Sequence, residues 1–352
     1  MDEDVSTLPG SCPVPFLDYT EVLLGHGSGG KLTADLIEKL FLPAFRNQYL
    51  EKLDDQAVLE VNGSRLAFTT DSFVVTPIFF PGGDIGRLAV NGTVNDLAMS
   101  GARPLYLSAA FILEEGLPLA DLQRIVNSMR EACETAGVVL VTGDTKVVNR
   151  GSGDKVFINT SGIGIIERDL IISADRAKAG DRIILSGTIA DHGMAVMAKR
   201  EGLEFENEIL SDTTPLNSLV EAMLEASPAI HCLRDPTRGG IATTLNEITR
   251  RSNVGIVLDE KRIPIREDVK GACEILGLDP LYVANEGKLV AIVGREEAEK
   301  VLDRMRGHRD GKEAQIIGEV VADHPRMVVM RTGIGGTRIV DLMMGEQLPR
   351  IC

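Results

Sequence analysis

Between residues 21 and 166, apolar runs of strand length (66–70, 105–113, 137–142 and 156–166) alternate with segments of helical spacing. Within 118–136, Leu119, Leu122, Ile125, Val126, Met129 and Ala136 recur at steps of three and four, with Pro118 at the start and Gly137 past the end. That spacing predicts a helix lying on a sheet. Small and polar residues over 167–180 interrupt the pattern, and a domain boundary is expected there. The mixed pattern then resumes. It predicts a strand over 181–186, helices near 193–201, 216–226, 240–251 and 296–306, and strands near 255–258 and 289–293. The apolar run 326–330 followed by a glycine-rich turn at 333–336 predicts a hairpin. Residues 1–20, with three prolines, four acids and no apolar period, read as a loose arm, and 341–352 as a flexible tail. The expected fold class is α+β, built from two α/β domains over 21–170 and 171–340.

Composition narrows the function classes. A length of 352 residues suits about two domains with sizeable cores. The net charge of −15 disfavours nucleic acid and anionic lipid as partners. Five widely spaced cysteines without a CxxC pair argue against a disulfide framework or a zinc site and for a reducing compartment. The acidic start MDEDVSTLPG does not read as a signal peptide, and no apolar run approaches ~18 residues. A soluble, cytoplasmic protein without a membrane span is expected.

Five segments carry candidate chemistry. GHGSGGK (25–31) contains the small residues that let successive amides turn toward an anion, with Lys31 adding a charge. It meets GxxxxGK, but with Leu32 where a P-loop has Ser or Thr, and it also meets GxGxxG; a plain glycine turn opening a helix is the alternative. Asp54, Asp55, Asp71, Asp96 and Asp144 follow or flank apolar runs, so several could converge on one sheet edge as ligands of a hard cation, although an isolated Asp after a strand usually caps a turn. DPTRGG (235–240) suits phosphate binding through Arg238 and a helix start, or a capped helix through Asp235. ANEGK (284–288) offers Glu286 as a base or ligand, or as part of a solvated loop. Cys352, the last residue, is a thiol on a long tail with Arg350 nearby, or simply a frayed end.

Taken together, GHGSGGK, TTDSFVVTPIFFPGGDIGRLAVNGTVNDLAMSGA, FILEEGLP, VTGDTKVV, DPTRGG, ANEGKL and LPRIC resemble the HypE family of hydrogenase maturation proteins. That family lies in the ATP-binding superfamily typified by aminoimidazole ribonucleotide synthetase, thiamine monophosphate kinase and selenophosphate synthetase. The resemblance runs from about residue 24 to 352. It implies a homodimer whose N-terminal domains pair into a β-barrel, with ATP and Mg2+ held between N- and C-terminal domains. It implies that Cys352 receives a carbamoyl group from the carbamoyltransferase HypF. ATP-dependent dehydration to a thiocyanate follows, and the cyano group passes to iron on a HypC–HypD scaffold. By the same resemblance Asp55, Asp71, Asp96 and Asp144 hold Mg2+. His26, Gly27, Ser28, Gly29, Gly30 and Lys31 order over the phosphates with Asp235, Thr237 and Arg238, and Lys146 and Glu286 stand beside the thiocarboxamide. The arm before Glu21 departs from the shorter starts expected of the family, and its Cys12 has no assigned role. A kinase or synthetase acting on a free small molecule, and a scaffold that binds nucleotide without turnover, are the competing readings.

Overall fold

The structure, a computed structural model, describes residues 19–343, 348 and 350–352; Cys12 lies outside them. After a glycine-rich start come short helices α1 (Lys31–Leu36) and α2 (Leu42–Phe45), then strands β1 (Ala57–Val61) and β2 (Ser64–Phe73). Asn62 and Gly63, both at positive φ, turn the chain between them, the two-residue hairpin signal that their sequence carries. A two-strand ribbon, β3 (Phe79–Phe80) and β4 (Gly83–Asp84), leads into α3 (Ile85–Met99). Next come β5 (Arg103–Glu114), α4 (Leu119–Ala136), β6 (Val139–Val148) and β7 (Val156–Ile166). The five long strands form one sheet in the order β1-β2-β7-β5-β6, antiparallel except for the β5/β6 pair.

The predicted helix at 118–136 is α4, closed by Gly137 in the left-handed conformation. No separate helix was expected over 85–99. Thirteen of the fifteen α3 residues are buried, so no polar stripe marks a helical period in the sequence. Asp84 caps α3 by accepting the N–H groups of Gly86 and Arg87. The opposite face of the sheet is open: Phe68, Tyr106, Ile112 and Ile163 are exposed there, as are Val139 and Val141 of the edge strand β6.

The second half contains β8 (Arg182–Leu185), α5 (Asp191–Glu201), α6 (Asn217–Ala226), β9 (Ile230–Arg234), α7 (Gly240–Ser252) and β10 (Gly255–Asp259). It continues with α8 (Glu267–Leu276), β11 (Val290–Val293), α9 (Ala298–Arg306), β12 (Gln315–Val321), β13 (Val328–Arg331) and β14 (Thr337–Val340). Its sheet runs β14-β13-β10-β12-β8-β11-β9, with β10/β13 the parallel pair. Residues of α7 pack on one face, those of α6 and α9 on the other. β11, buried along its whole length, is accordingly the uninterrupted apolar run read from the sequence. The expected hairpin is β13–β14.

In the second half, three elements are absent from the sequence reading. β9 is interrupted by His231 and Arg234, whose partners Asp181, Asp55 and Glu247 lie far off in the chain. Gly271 lowers the intrinsic helicity of α8. Gly318 sits in β12, where a side chain would strike the Val257 carbonyl at 2.4 Å. No helix among the described residues is long and apolar enough to cross a membrane. The two halves meet where Ala98 and Met99 at the end of α3 join the core formed with α6 and α9, which brings Asp96 against the end of β9.

Candidate active site

Three carboxylates converge at that junction. Asp55 precedes β1, Asp96 sits on α3 and Asp235 follows β9, and each contributes an oxygen to a group lying within 4.8 Å of one another. Arg234 Nη2 stands 2.8 Å from Asp55 and 2.7 Å from Glu247, and Thr69 Oγ1 donates to Asp96 at 2.8 Å. Burial, then mutual repulsion, holds Asp96 well above the ordinary carboxylate range. Asp55 is likewise raised, chiefly by burial, against the lowering pull of Arg234. Asp235 is pushed up to about 6, again mainly by burial. Asp71, on the face of β2 that packs on α3, is raised by burial and adds to the repulsion at Asp96 and Asp235. The second Asp55 oxygen is buried without a hydrogen-bond partner. Crowded oxygen donors with an orphaned buried oxygen fit a hard divalent cation.

The glycine loop lies against the turn that follows Asp235, at Arg238. Gly29 is at φ +78°, and a Cβ there would stand 2.8 Å from the Arg238 carbonyl, so the loop needs glycine to pass. Arg238 Nη1 in turn donates to the Gly27 carbonyl at 3.2 Å. A cleft of about 320 Å3 separates these loops, lined among others by Gly27, Ser28, Gly30, Ser72, Arg238 and Cys352. Four loop amides are already bound within the chain: His26 to the Leu23 carbonyl, Ser28 to the Gly25 carbonyl, Gly29 to Thr33 Oγ1 and Lys31 to the Met343 carbonyl. The row of free amides expected of a phosphate cradle is therefore reduced in this conformation. His26 is buried, its Nδ1 accepting the Leu23 N–H and its ring edge-on to Tyr19, which makes it a structural member of the loop. Lys31 is exposed. Thr237 closes the turn into α7, its carbonyl accepting the Gly240 N–H.

Glu286 and Cys352 meet at the back of the cleft. The thiol lies beside the Glu286 carboxylate, and burial followed by that charge pushes the thiol pKa well up. Glu286 is itself 3% exposed, leaves Oε1 without a partner, and is raised by burial and by Asp212, Asp235 and Asp71. Its backbone is tightly set: Asn95 on α3 donates to its carbonyl at 3.1 Å. A Cβ on the next residue, Gly287, would fall 1.8 Å from the Asp212 carbonyl. Asn95, Asp212, Arg234 and Lys288 are neighbours of these carboxylates that residue type alone did not single out. The ND pair at 95–96 and the lysine of ANEGK were the available signals.

Two expected members stand elsewhere in the chain. Asp144 and Lys146 lie on the exposed strand β6 and pair with each other, Nζ to Oδ2 at 2.9 Å. That contact lowers the Asp144 pKa, and the place expected for Asp144 in the acidic cluster is taken by Asp235. The physical reason is topological: β6 is the outer strand of its sheet, and its register sets Asp144 and Lys146 opposite Ala110 and Ile112 on the open face. Asp54 is spent on structure, accepting from Ser173 Oγ and the Ala174 N–H.

Comparison with known proteins places this arrangement in a family. Residues 53–166 match the AIR synthase related protein N-terminal domain, and 178–330 the corresponding C-terminal domain. A carbamoyl dehydratase HypE of Azotobacter vinelandii is 60% identical over 327 residues, covering 93% of this chain and 96% of the relative. The crystal structure of a HypE–HypF complex contains a chain that superposes with a TM-score of 0.83 at 53% identity, covering 88% of this chain and 99% of that one. A HypE crystal structure in complex with ATP gives 0.80 at 52%, covering 94% and 100%. With both domains matched in order and the relatives covered almost end to end, the chain belongs to the HypE carbamoyl dehydratases of the AIR synthase related family.

Proposed function

We propose that the protein is an ATP-dependent carbamoyl dehydratase that converts an S-carbamoyl group on its own Cys352 into a thiocyanate, the source of cyanide ligands for a NiFe-hydrogenase iron centre. The observation that carries this reading is the thiol of Cys352 seated on the Glu286 carboxylate inside the cleft that the glycine loop borders. Bound ATP with Mg2+ supplies the phosphoryl group that lets the amide oxygen leave as phosphate. Asp55, Asp96 and Asp235, with Asp71 beside them, are the residues to hold the cation. Arg238, between the glycine loop and the thiol, offers charge to the phosphates or the amide oxygen. Glu286 takes one nitrogen proton, and the second leaves with the departing phosphate. The raised pKa of Glu286 makes its ionised form a stronger base than an ordinary carboxylate, and its unpartnered Oε1 is a ready acceptor. The balance is one carbamoyl group and ATP in, one thiocyanate, ADP and phosphate out.

The wider reading follows from the family. HypF is the proposed carbamoyl donor, and a HypC–HypD complex the proposed acceptor of the cyano group. Two copies are proposed to pair through the open face of the first sheet, which covers Phe68, Tyr106, Ile112 and Ile163.

Intact mass of the carbamoylated chain, with and without ATP, tests the reading. The expected result is loss of one water's mass from the C-terminal peptide only when ATP and Mg2+ are present. Retention of the full carbamoyl mass under both conditions would overturn it.

A further inference from the structure

The last residues are gripped along their backbone as well as at the thiol. Residues 350–352 run antiparallel to 74–76, with Val75 opposite Ile351. The N–H of Val74 donates to the Cys352 carbonyl at 2.9 Å, and that of Thr76 to the Arg350 carbonyl at 3.2 Å. The carbonyl between them, on Ile351, faces the other way, where His192 Nε2 meets it at 2.8 Å. Further along the same helix α5, Arg200 bridges both segments, Nε donating to the Thr76 carbonyl at 2.8 Å and Nη2 to the Arg350 carbonyl at 2.7 Å.

The chemistry at His192 is defined by its partners. A peptide carbonyl only accepts, so Nε2 carries the proton, and Nδ1, 2.8 Å from Ser211 Oγ, accepts from that hydroxyl. The ring is completely buried and sits edge-on to Phe80 at 5.4 Å. Burial lowers its pKa, which favours this neutral tautomer. Beside it the Ile351 side chain is buried with Phe73, Val75, Ile78 and Phe80. Side chains on an extended segment alternate, so a slip of one residue would carry Ile351 out of this apolar pocket and turn the Cys352 thiol away from Glu286.

We propose that His192 and Arg200 are positioning residues that fix the register of the C-terminal segment, so that the side chain of residue 352 and no other reaches Glu286. The inference rests on Cys352 being the carrier of the reacting group, and it extends that reading to what selects the carrier: an apolar residue before the cysteine and two backbone carbonyls bound by α5.

The test uses the full chain without nucleotide or carbamoyl donor, so it does not depend on turnover. Iodoacetamide alkylation at each cysteine is followed by peptide mass. Undocking frees a thiol that is otherwise buried and raised in pKa, so His192→Leu and Arg200→Ala should each speed alkylation of Cys352 by about fivefold to tenfold, the scale of one net hydrogen bond. Cys133, Cys232 and Cys273 are buried and serve as the control for folding, so their protection should not change. His192→Gln, which retains a donor, should restore much of the protection at Cys352. Equal alkylation of Cys352 in the wild type and both loss variants would overturn the proposal, as would a His192→Gln variant as reactive as His192→Leu. If alkylation behaves as expected but the carbamoylated chain never loses water, the functional reading fails while the register stands.

Discussion

Asp212 accepts the backbone N–H of Glu286 at 3.0 Å, and its other carboxylate oxygen stands 3.2 Å from the ammonium of Lys288. One side chain thus fixes the main chain at the residue that meets Cys352 and adds negative charge beside its carboxylate. That charge is, after burial, the largest cause of the raised Glu286 pKa. Asp212→Asn keeps an acceptor for the N–H but removes the charge. Glu286 should then ionise at lower pH, and the acid limb of the dehydration pH–rate profile should move to lower pH. A limb that stays in place would show that Glu286 is not the group titrating there.

Glu286→Gln preserves size and hydrogen bonding but cannot accept a proton. Dehydration should fall by about 10²–10⁴-fold, the usual contribution of a general base, while ATP binding and carbamoylation of Cys352 persist. Intact mass should then show accumulated S-carbamoyl chain. Dehydration at the wild-type rate would remove Glu286 from the base role.

The acidic cluster should contribute a pH-dependent part of the stability. Asp55, Asp96 and Asp235 have folded-state pKa values above the unfolded value of 3.8, Asp235 at about 6. The stability linked to these groups is complete below the unfolded value and is lost as pH rises through the folded values. Without metal, thermal unfolding should therefore show a fall in stability from about pH 4 to 7 that Asp235→Asn reduces. Added Mg2+ should restore more stability near pH 7 than near pH 5, because the ionised cluster is the form that binds it. Metal stabilisation that is equal at both pH values would argue against cation binding at the cluster.

Asp96→Asn and Asp144→Asn separate the cluster from the exposed strand. The first should abolish most of the Mg2+-dependent stabilisation by ATP, a loss on the order of 3 kcal/mol when ligand is at a hundredfold its Kd. The second should leave that stabilisation intact, since Asp144 pairs with Lys146 away from the other carboxylates. Differential scanning fluorimetry reads both. A loss of equal size in Asp144→Asn would return that residue to the metal site.

Val141→Asp tests the open sheet face. The residue is 58% exposed on the edge strand β6, so the single chain should tolerate the charge with a change in stability within about 0.5 kcal/mol. Pairing through this face would instead have to bury the charge, and sedimentation should show a shift from dimer to monomer. A variant that still sediments as a dimer would place the contact between copies elsewhere.

Local pattern determined much of this protein. Periods of three and four with Pro118 and Gly137 marked α4, an unbroken apolar run marked β11, and the β13–β14 hairpin followed from its glycine turn, because these signals reside in neighbouring residues. The motifs carrying Asp55, Asp71, Asp96, Asp235, Glu286 and Cys352 were also legible as residue types at the ends of such runs. Tertiary structure decided which of them share a site. α3, buried on nearly every side, had no amphipathic period to announce it, yet it carries Asp96 to Asp235 and Asn95 to Glu286. Strand order placed β6 at the outer edge and set Asp144 and Lys146 apart from the acidic cluster, which neither spacing nor composition encodes. His192, Arg200 and Asp212 gained their roles only from partners far along the chain. Their hydrogen bonds to Ile351, Arg350 and Glu286 span 159, 150 and 74 residues, separations that only the folded chain closes.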